Sequence, residues 1–178
     1  PEGSPSNEGS ETEPYYYVYD YEGADVEAAK STEYYETYGV LYNWPAVMTE
    51  GICPTSWHIP SDEEWMELEM FLGMSESELL GTGTRGTDQG FQMKSTYGWM
   101  VDGNGSNSSG VNSIPSGEWN SGEYNHIGYA CFWWTTNQSF INNIAVSVRR
   151  DLGHDYSGVG RNIYSHRTLG YSARCIKD

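Results

Sequence analysis

The sequence predicts a loop-rich domain of the α+β or mostly β class, and three features of its composition point that way. Only 37% of the 178 residues are hydrophobic, too few aliphatic side chains for a bundle of long helices. Seven Trp and fifteen Tyr supply large side chains around which a core can form. The 21 Gly favour turns and loops. At this length we expect one folded domain.

The N-terminal residues differ in composition from the rest of the chain. Residues 1–14 contain Pro, Gly, Ser, Glu, Asn and Thr, which is typical of a flexible linker. The domain is therefore expected over residues 15–178. Within it, the aromatic residues 15–21 predict a first strand, and residues 25–37 predict a short helix.

The clearest helix signal lies at residues 61–72. Ser61 can cap the helix, Glu64 completes a capping box, and Gly73 ends the helix. Three apolar residues recur at helical spacing and predict a core-facing stripe: Trp65, Leu68 and Leu72. Four glutamates are expected to form a solvated face without an acid–base role: Glu63, Glu64, Glu67 and Glu69.

Beyond Gly81 the pattern indicates loops and short strands. Buried strands are predicted over 131–136 and 144–148, and a final strand over 170–176. Residues 149–168 have no clean period, which indicates a loop or short hairpin that exposes polar side chains.

The charge is distributed unevenly along the chain. The net charge of −16 argues against nucleic acid as a partner, because phosphate binding requires a basic surface. Residues 1–148 carry 3 basic and 22 acidic side chains, whereas residues 149–178 carry 6 and 3. Either the two parts face different tasks, or the C-terminal arginines pair with acidic groups of their own domain. No apolar run is long enough to span a membrane.

No motif predicts a catalytic centre, a cofactor or a metal site. The four histidines lack zinc-ligand spacing, and His58 is expected to be a hydrogen-bonded core residue. A serine-nucleophile elbow, a phosphate-binding glycine loop and a dinucleotide fingerprint are all missing. Residues 102–106 resemble the start of a calcium loop, but Asn107 and Ser113 occupy the positions of its Gly and Glu.

Three cysteines allow one intramolecular bridge and one free thiol. A bridge between Cys53 and Cys175 would hold the C-terminus against the middle of the domain. The alternative is that both are small buried hydrophobic residues. Cys131 is expected to be a free, packed thiol.

A recognition surface is the remaining hypothesis. Residues 149–168 combine Arg, Tyr and His with small Gly and Ser, and binding hot spots favour Arg and aromatic side chains. We expect a binding region over about 129–168 that contacts a macromolecular ligand, protein or surface glycan, on another cell or particle. The predicted contacts are Phe132, Arg149, Arg150, His154, Asp155, Tyr156, Arg161, Asn162, Tyr164 and His166.

Five segments together resemble the Fibrobacter succinogenes major paralogous domain, over roughly residues 15–178. They are YGVLYNW (38–44), ICPTSWHIPSDEEWMELEMFLG (52–73), SIPSGEW (113–119), GYACFWWTTNQ (128–138) and LGYSARCIKD (169–178).

The resemblance implies an α+β, C-type-lectin-like fold of the formylglycine-generating-enzyme type, loop-rich, with one or two helices and short antiparallel strands. It makes Cys53 and Cys175 the implied bridge partners. Departures at Ser56, Ser116 and Gln138 leave the implied fold unchanged. Nothing catalytic carries over, because the cysteine and metal arrangement of the enzyme branch has no counterpart in this sequence.

Lectin-like domains of this group also serve as variable proteins of diversity-generating retroelements, in which template adenines are randomised. An Asn codon changed only at its adenines never yields Lys, Glu, Gln, Met or Trp. All twenty residues from 149 to 168 belong to the reachable set, which chance gives on the order of one time in a hundred. We therefore expect a variable, non-catalytic receptor that is extracellular, on a cell surface or on a virion. The alternatives are an invariant module of a surface lipoprotein or fimbria, and an enzyme of the formylglycine-generating branch.

Overall fold

In the computed structural model, residues 4–5, 9–23 and 25–178 are described, and a large mixed sheet forms most of the domain. In chain order the strands are β1 (Ser4–Pro5), β2 (Tyr15–Tyr17), β3 (Leu41–Tyr42), β4 (Trp57–His58), β5 (Gly83–Arg85), β6 (Ser116–Asn120), β7 (Glu123–Ile127), β8 (Ala130–Ile141), β9 (Ile144–Gly153), β10 (Val159–His166), β11 (Tyr171–Ser172) and β12 (Ile176–Lys177). The helices are α1 (Val26–Lys30), α2 (Glu33–Tyr38), α3 (Trp44–Val47), α4 (Asp62–Phe71), α5 (Glu76–Leu79) and α6 (Gln89–Met93).

Across the main sheet the strand order is β1–β2–β3–β11–β8–β9–β10–β5, and β6 joins β8 and β7. Strands β4 and β12 form a separate pair. The domain is therefore mixed and mostly sheet. The predicted antiparallel strands are present, and in addition β11 and β6 each run parallel to β8.

Helix α4 forms as its sequence predicts. The Glu64 backbone N–H donates to Ser61 Oγ at 3.1 Å, and the Ser61 N–H donates to Glu64 Oε2 at 2.8 Å. Gly73 follows the helix with φ +100°, which favours glycine. Trp65 is buried, and Leu68 and Leu72 pack against the same core.

The prediction of one or two helices was wrong, because six helices form in the described part of the chain. Five of them are only four to six residues long. The predicted helix at 25–37 divides into α1 and α2, since Thr32 Oγ1 accepts a hydrogen bond from the Tyr35 N–H and starts a new helix.

Strands β8, β9 and β10 are longer than the sequence predicts, with 12, 10 and 8 residues. They form an antiparallel meander that includes the segment expected to be a loop or short hairpin. Asn142 and Asn143 join β8 to β9 with φ +50° and +66°, as a two-residue hairpin turn requires.

Both faces of this meander are covered near its base. One face packs under α4 through Trp133 and Trp65, whose ring centroids lie 5.4 Å apart. The other face packs on α3 through Trp134, Tyr171 and Trp44. Because both faces are buried there, alternation of polar and apolar residues is absent, which explains why residues 149–153 of β9 and the whole of β10 were not predicted as strands.

The final strand predicted over 170–176 is interrupted and forms β11 and β12. Cys53 and Cys175 form a disulfide with an S–S distance of 2.02 Å, which confirms the implied pairing. Cys131 is free and buried, as predicted.

The predicted linker, residues 1–14, lies partly outside the described residues. In the described portion, Asn43 Nδ2 donates to the carbonyl oxygens of Ser10 at 3.0 Å and Glu13 at 2.7 Å. These residues are therefore held against the domain and are not a free linker. Within the described ranges, no helix has the length and apolar character needed to cross a membrane.

Candidate functional site

The predicted contacts lie on two opposite faces of the β9–β10 hairpin and at its two ends. Opposite Trp133 on β8 stands Arg150, and opposite Trp134 stands Arg149. Arg150 pairs in turn with Arg161 on β10, and Arg149 with Asn162. Because side chains alternate along a strand, Arg150 and Arg161 share the inner face beneath α4, whereas Arg149 and Asn162 share the outer face.

On the inner face, two carboxylates meet three guanidinium groups. Arg150 Nη1 lies 2.5 Å from Asp62 Oδ1, and Arg150 Nε lies 2.6 Å from Glu69 Oε1. Arg161 Nη2 lies 2.5 Å from Asp62 Oδ2, and Arg85 Nη2 lies 2.9 Å from Glu69 Oε1. We call these five residues the buried charge cluster. It joins α4 to β5, β9 and β10.

Asp62 lies at the start of α4, where both its backbone N–H and its carboxylate have partners. Its backbone N–H donates to Asn137 Oδ1 at 2.6 Å, which satisfies one helix-terminal donor. Although burial by itself favours the neutral acid, hydrogen bonds and charges from Arg161 and Arg150 hold the pKa of the Asp62 carboxyl below its usual range. Asp62 therefore serves as the ionised centre of the cluster.

Two expectations about these side chains were wrong, those for Glu69 and Arg150, whereas ligand contact by Arg161 stays a prediction. Glu69 does not belong to a solvated face but is fully buried. The Arg150 side chain is 0% exposed, so it does not contact a macromolecular ligand in this conformation. Arg161 is largely occupied by Asp62 and also donates to the Leu80 carbonyl at 3.2 Å. The alternative, in which C-terminal arginines pair within their own domain, holds for both arginines.

The outer face presents Arg149 over two aromatic rings. Its guanidinium carbon lies 4.7 Å from the Phe132 ring centroid and 5.1 Å from that of Tyr171. Nη1 of Arg149 donates to the Tyr171 hydroxyl, and Nε donates to Asp151 Oδ1 at 3.3 Å. About 20% of the Arg149 side chain remains exposed. We call Phe132, Arg149, Asp151, Tyr156 and Tyr171 the outer-face cluster.

Asp151 links this cluster to the hairpin turn. Its Oδ2 accepts a hydrogen bond from the Tyr156 hydroxyl at 2.7 Å. Burial, followed by the charge of Asp151, raises the pKa of Tyr156, so this phenol stays protonated and keeps donating. Gly160 lies opposite Asp151 on β10, where a Cβ atom would collide with the carboxylate. The absence of a side chain at Gly160 therefore leaves space for the Asp151 carboxylate.

The remaining predicted contacts lie at the two ends of the β9–β10 hairpin. His154 and Asp155 lie in the β9–β10 turn, where the His154 ring packs edge-on against Tyr129 at 5.1 Å. Tyr164 and His166 lie at the other end of β10. The predicted contacts are therefore distributed over both faces and both ends of the hairpin, and ligand binding by the exposed ones stays a prediction.

The described residues contain no group of three or more His, Cys, Asp or Glu side chains arranged to hold a metal ion. Burial raises the pKa of the Cys131 thiol well above its usual value, so the thiol is neutral and inaccessible. His58 is not a core residue as expected, since about 40% of its side chain is exposed, although it is hydrogen-bonded to Glu64 and Asp178.

Sequence reasoning missed Asp62, Glu69, Asp151 and Tyr171 as partners of the arginines. A signal for the first two was present, since Asp62 and Glu69 recur at helical spacing with Trp65 on the core-facing stripe. Tyr171 had no comparable local signal, because its contact with Arg149 depends on the pairing of distant strands. Asp151 lies two residues from Arg149 on the same strand, but this spacing is informative only once the segment is known to be a strand.

Comparison with known proteins gives a family. No curated protein and no solved structure matches the chain significantly. The model of the Fibrobacter succinogenes major domain matches residues 2–177, which is almost the whole chain. The chain therefore belongs to the Fibrobacter succinogenes major domain family.

Proposed function

We propose that this domain is a non-catalytic binding module of an extracellular or cell-surface protein, and that it contacts a macromolecular ligand through the outer-face cluster. The main support for this proposal is the position of Arg149. Its Nε and Nη1 are fixed by Asp151 and Tyr171, and no hydrogen bond of its Nη2 occurs within the described part of the chain. A partly exposed guanidinium held over aromatic rings is a typical hot-spot arrangement.

Rigidity supports the same proposal. The buried charge cluster fixes the opposite face of β9 and β10, so Arg149 is presented from regular strands and not from a loop. A contact that is ordered before binding loses little conformational entropy when the ligand arrives. The ligand is a protein or surface glycan on another cell or particle. Cys131 is buried and is therefore not part of the proposed contact.

We also propose that the fold is C-type-lectin-like, as the family resemblance implies. The long β8–β9–β10 meander and the disulfide that holds the C-terminus to the middle of the chain support this proposal. An experimental structure compared with lectin-like domains tests it, and a different strand order in that structure would contradict it.

The burial of Arg150 and the ion pair between Arg161 and Asp62 favour the fixed adhesion module over the variable receptor. A random substitution at Arg150 would leave Asp62 and Glu69 buried with fewer partners. Gly160 is constrained as well, because any side chain there meets Asp151. We therefore propose an invariant hairpin in an adhesion-type module of a bacterial surface protein.

The variable receptor remains the second candidate because residues 149–168 all belong to the adenine-reachable set. Sequencing around the gene separates the two. A nearby reverse transcriptase with a 3′ copy carrying adenines at the exposed positions Asp155, Tyr164 and His166, but not at Arg150, would establish the variable receptor. Finding neither leaves the fixed module.

The binding proposal is tested with arrays of purified bacterial polysaccharides and extracellular-matrix proteins. The fluorescently labelled domain is expected to bind at least one component, and Arg149→Met is expected to weaken that binding by about tenfold or more. Lys177→Met removes a cation from the exposed end of β12 and serves as the matched control. Equal binding by wild type and Arg149→Met would show that the outer-face cluster is not the contact.

A further inference from the structure

A small polar pocket lies between the loop that precedes β6 and the residues that link β11 to β12. Its volume is about 160 Å³. Because liquid water occupies roughly 30 Å³ per molecule, a pocket of this size holds a group of only a few non-hydrogen atoms. Six of its nine lining residues are polar: Tyr38, Asn112, Ser113, Ser116, Ser172 and Arg174. We call it the Arg174 pocket, and none of its lining residues belongs to the outer-face cluster.

Arg174 supplies the positive charge of this pocket and has no carboxylate beside it. Four other arginines form ion pairs with carboxylates at 2.5–3.3 Å: Arg85, Arg149, Arg150 and Arg161. Among the residues that the structure describes, no acidic side chain pairs with Arg174, although the chain has 25 of them. Burial lowers the pKa of Arg174 below its usual value, because desolvation of the guanidinium is not offset by nearby negative charge. A partly buried cation in this condition favours an anionic ligand.

The hydrogen-bond donors of the pocket are only partly used. Nη2 of Arg174 donates to the Val111 carbonyl at 2.8 Å, which fixes the guanidinium against the loop. The Nε of Arg174 and the Oγ of Ser113 are buried and have no hydrogen-bond partner in the described chain. Ser113 is 1% exposed, and its backbone N–H already donates to the Met93 carbonyl. Since a buried polar group without a partner is costly, a ligand that accepts hydrogen bonds here would stabilise the domain.

The walls of the pocket are fixed before any ligand arrives. The Ser113 carbonyl accepts hydrogen bonds from the Ser95 N–H at 2.9 Å and from Trp99 Nε1 at 3.0 Å. Across the pocket, the hydroxyl oxygens of Ser116 and Ser172 lie 2.9 Å apart, so one donates to the other and joins the two sides. A ligand bound here would therefore order few side chains, which lowers the entropic cost of binding.

We propose that the Arg174 pocket binds the carboxylate group of a small organic acid or acidic sugar, with Arg174 as the charged contact and Ser113 as a hydroxyl donor. The planar guanidinium matches a carboxylate in shape and charge. The lining contains one cation, so it compensates a single negative charge. A phosphate dianion is disfavoured, because the rest of a chain with net charge −16 repels it. The proposal does not depend on ligand binding by the outer-face cluster.

NMR titration of the ¹⁵N-labelled domain with sodium acetate at constant ionic strength tests the proposal. Acetate is expected to shift the backbone amides of Ser113 and Arg174 saturably, with a dissociation constant of about 1–10 mM. Arg174→Met is expected to raise that constant about tenfold or more. Lys177→Met removes one positive charge from the exposed end of β12 and is the matched control, expected to bind as wild type does. No saturable shift in wild type, or equal weakening by the two variants, would overturn the proposal.

Ser113→Ala gives a second measurement that leaves the guanidinium in place, and it decides the question if Arg174→Met does not fold. Because the Ser113 hydroxyl has no partner in the described chain, its removal is expected to leave the melting temperature without acetate unchanged. Acetate binding is expected to weaken about fivefold, as for the loss of one hydrogen bond to a charged group. Unchanged acetate binding would overturn the role of Ser113 as a donor.

D-glucuronate and inorganic phosphate, titrated in the same way, distinguish the sources of the anion. Tighter binding of D-glucuronate than of acetate would identify an acidic sugar as the ligand. Equal binding would identify a small organic acid, recognised through its carboxylate alone. Tighter binding of phosphate than of either carboxylate would overturn the assignment of a carboxylate site.

Discussion

The two ends of the β8–β9–β10 meander handle polar and apolar groups in opposite ways. At the base, where α4 covers the sheet, two arginines and two carboxylates are buried, and Arg161 joins them from the margin. At the far end of the β8–β9 hairpin, residues 138–147, which we call the arm, apolar Phe140 and Ile144 lie in solvent. Charged side chains are usually exposed and large apolar ones are usually buried, so both ends of the meander depart from the usual distribution.

The buried charges at the base and the exposed apolar groups of the arm have separate causes. Buried charges persist when each has a partner, and the pairs at the base also fix how α4 lies on the sheet. Exposed apolar groups contribute little to the stability of one molecule, because they lose little contact with water on folding. Substitutions at the base should therefore destabilise the fold strongly, whereas those in the arm should change its stability little.

The largest effect is expected for Arg150→Met. Removing this guanidinium leaves Asp62 and Glu69 buried with fewer partners, and breaking such a cluster costs about 3–5 kcal/mol of unfolding free energy. Urea denaturation measures it. Arg149→Met is the matched control, since the neighbouring arginine faces the outer side and is partly exposed. Equal losses for the two variants would contradict the distinction between inner and outer faces.

Asp62→Asn is expected to destabilise the domain by about 2 kcal/mol near neutral pH, because hydrogen bonds to a charged group are lost. The folded-state pKa of Asp62 lies below its unfolded value of 3.8, so its contribution is complete above that pH and disappears as pH falls through the folded-state pKa. Melting temperatures at low pH should therefore fall less steeply for Asp62→Asn than for wild type. Parallel curves would indicate that Asp62 is not ionised in the cluster.

A smaller effect is expected at His58, which joins α4 to the C-terminus through Glu64 and Asp178. Hydrogen bonds to Asp178 and Glu64 raise the pKa of His58 above 6.5. Its contribution is complete below pH 6.5 and is lost as pH rises through the folded-state pKa. The difference in melting temperature between wild type and His58→Gln should therefore shrink as pH rises. A difference independent of pH would show that the imidazolium is not responsible.

The smallest effect on folding is expected in the arm. Phe140→Ser should change the unfolding free energy by no more than about 0.5 kcal/mol, as for other exposed positions. Urea denaturation measures it. A loss comparable with that of Arg150→Met would mean that Phe140 packs within its own molecule, and the contrast between base and arm would then disappear.

Local patterns in the sequence predicted the elements whose stability is local. The Ser61–Glu64 capping box and Gly73 bound α4 as expected, and the family motif paired Cys53 with Cys175. Residues 149–168 were not recognised as long strands, since both faces are covered at the base and no alternation marks them. Arg150 was predicted to contact a ligand, but it is buried and has a structural role.

By itself the sequence determined the family, the mixed α/β character, the helix at 61–72 and the uneven charge along the chain. Only the tertiary structure decided which arginines are buried and which face outward. The reason is that neighbouring residues of a strand point to opposite faces, so Arg149 and Arg150 have nearly identical sequence contexts. Helix α4 covers one face of the sheet and α3 covers the other. Both helices are distant from β9 in the sequence, so they reach these faces only on folding.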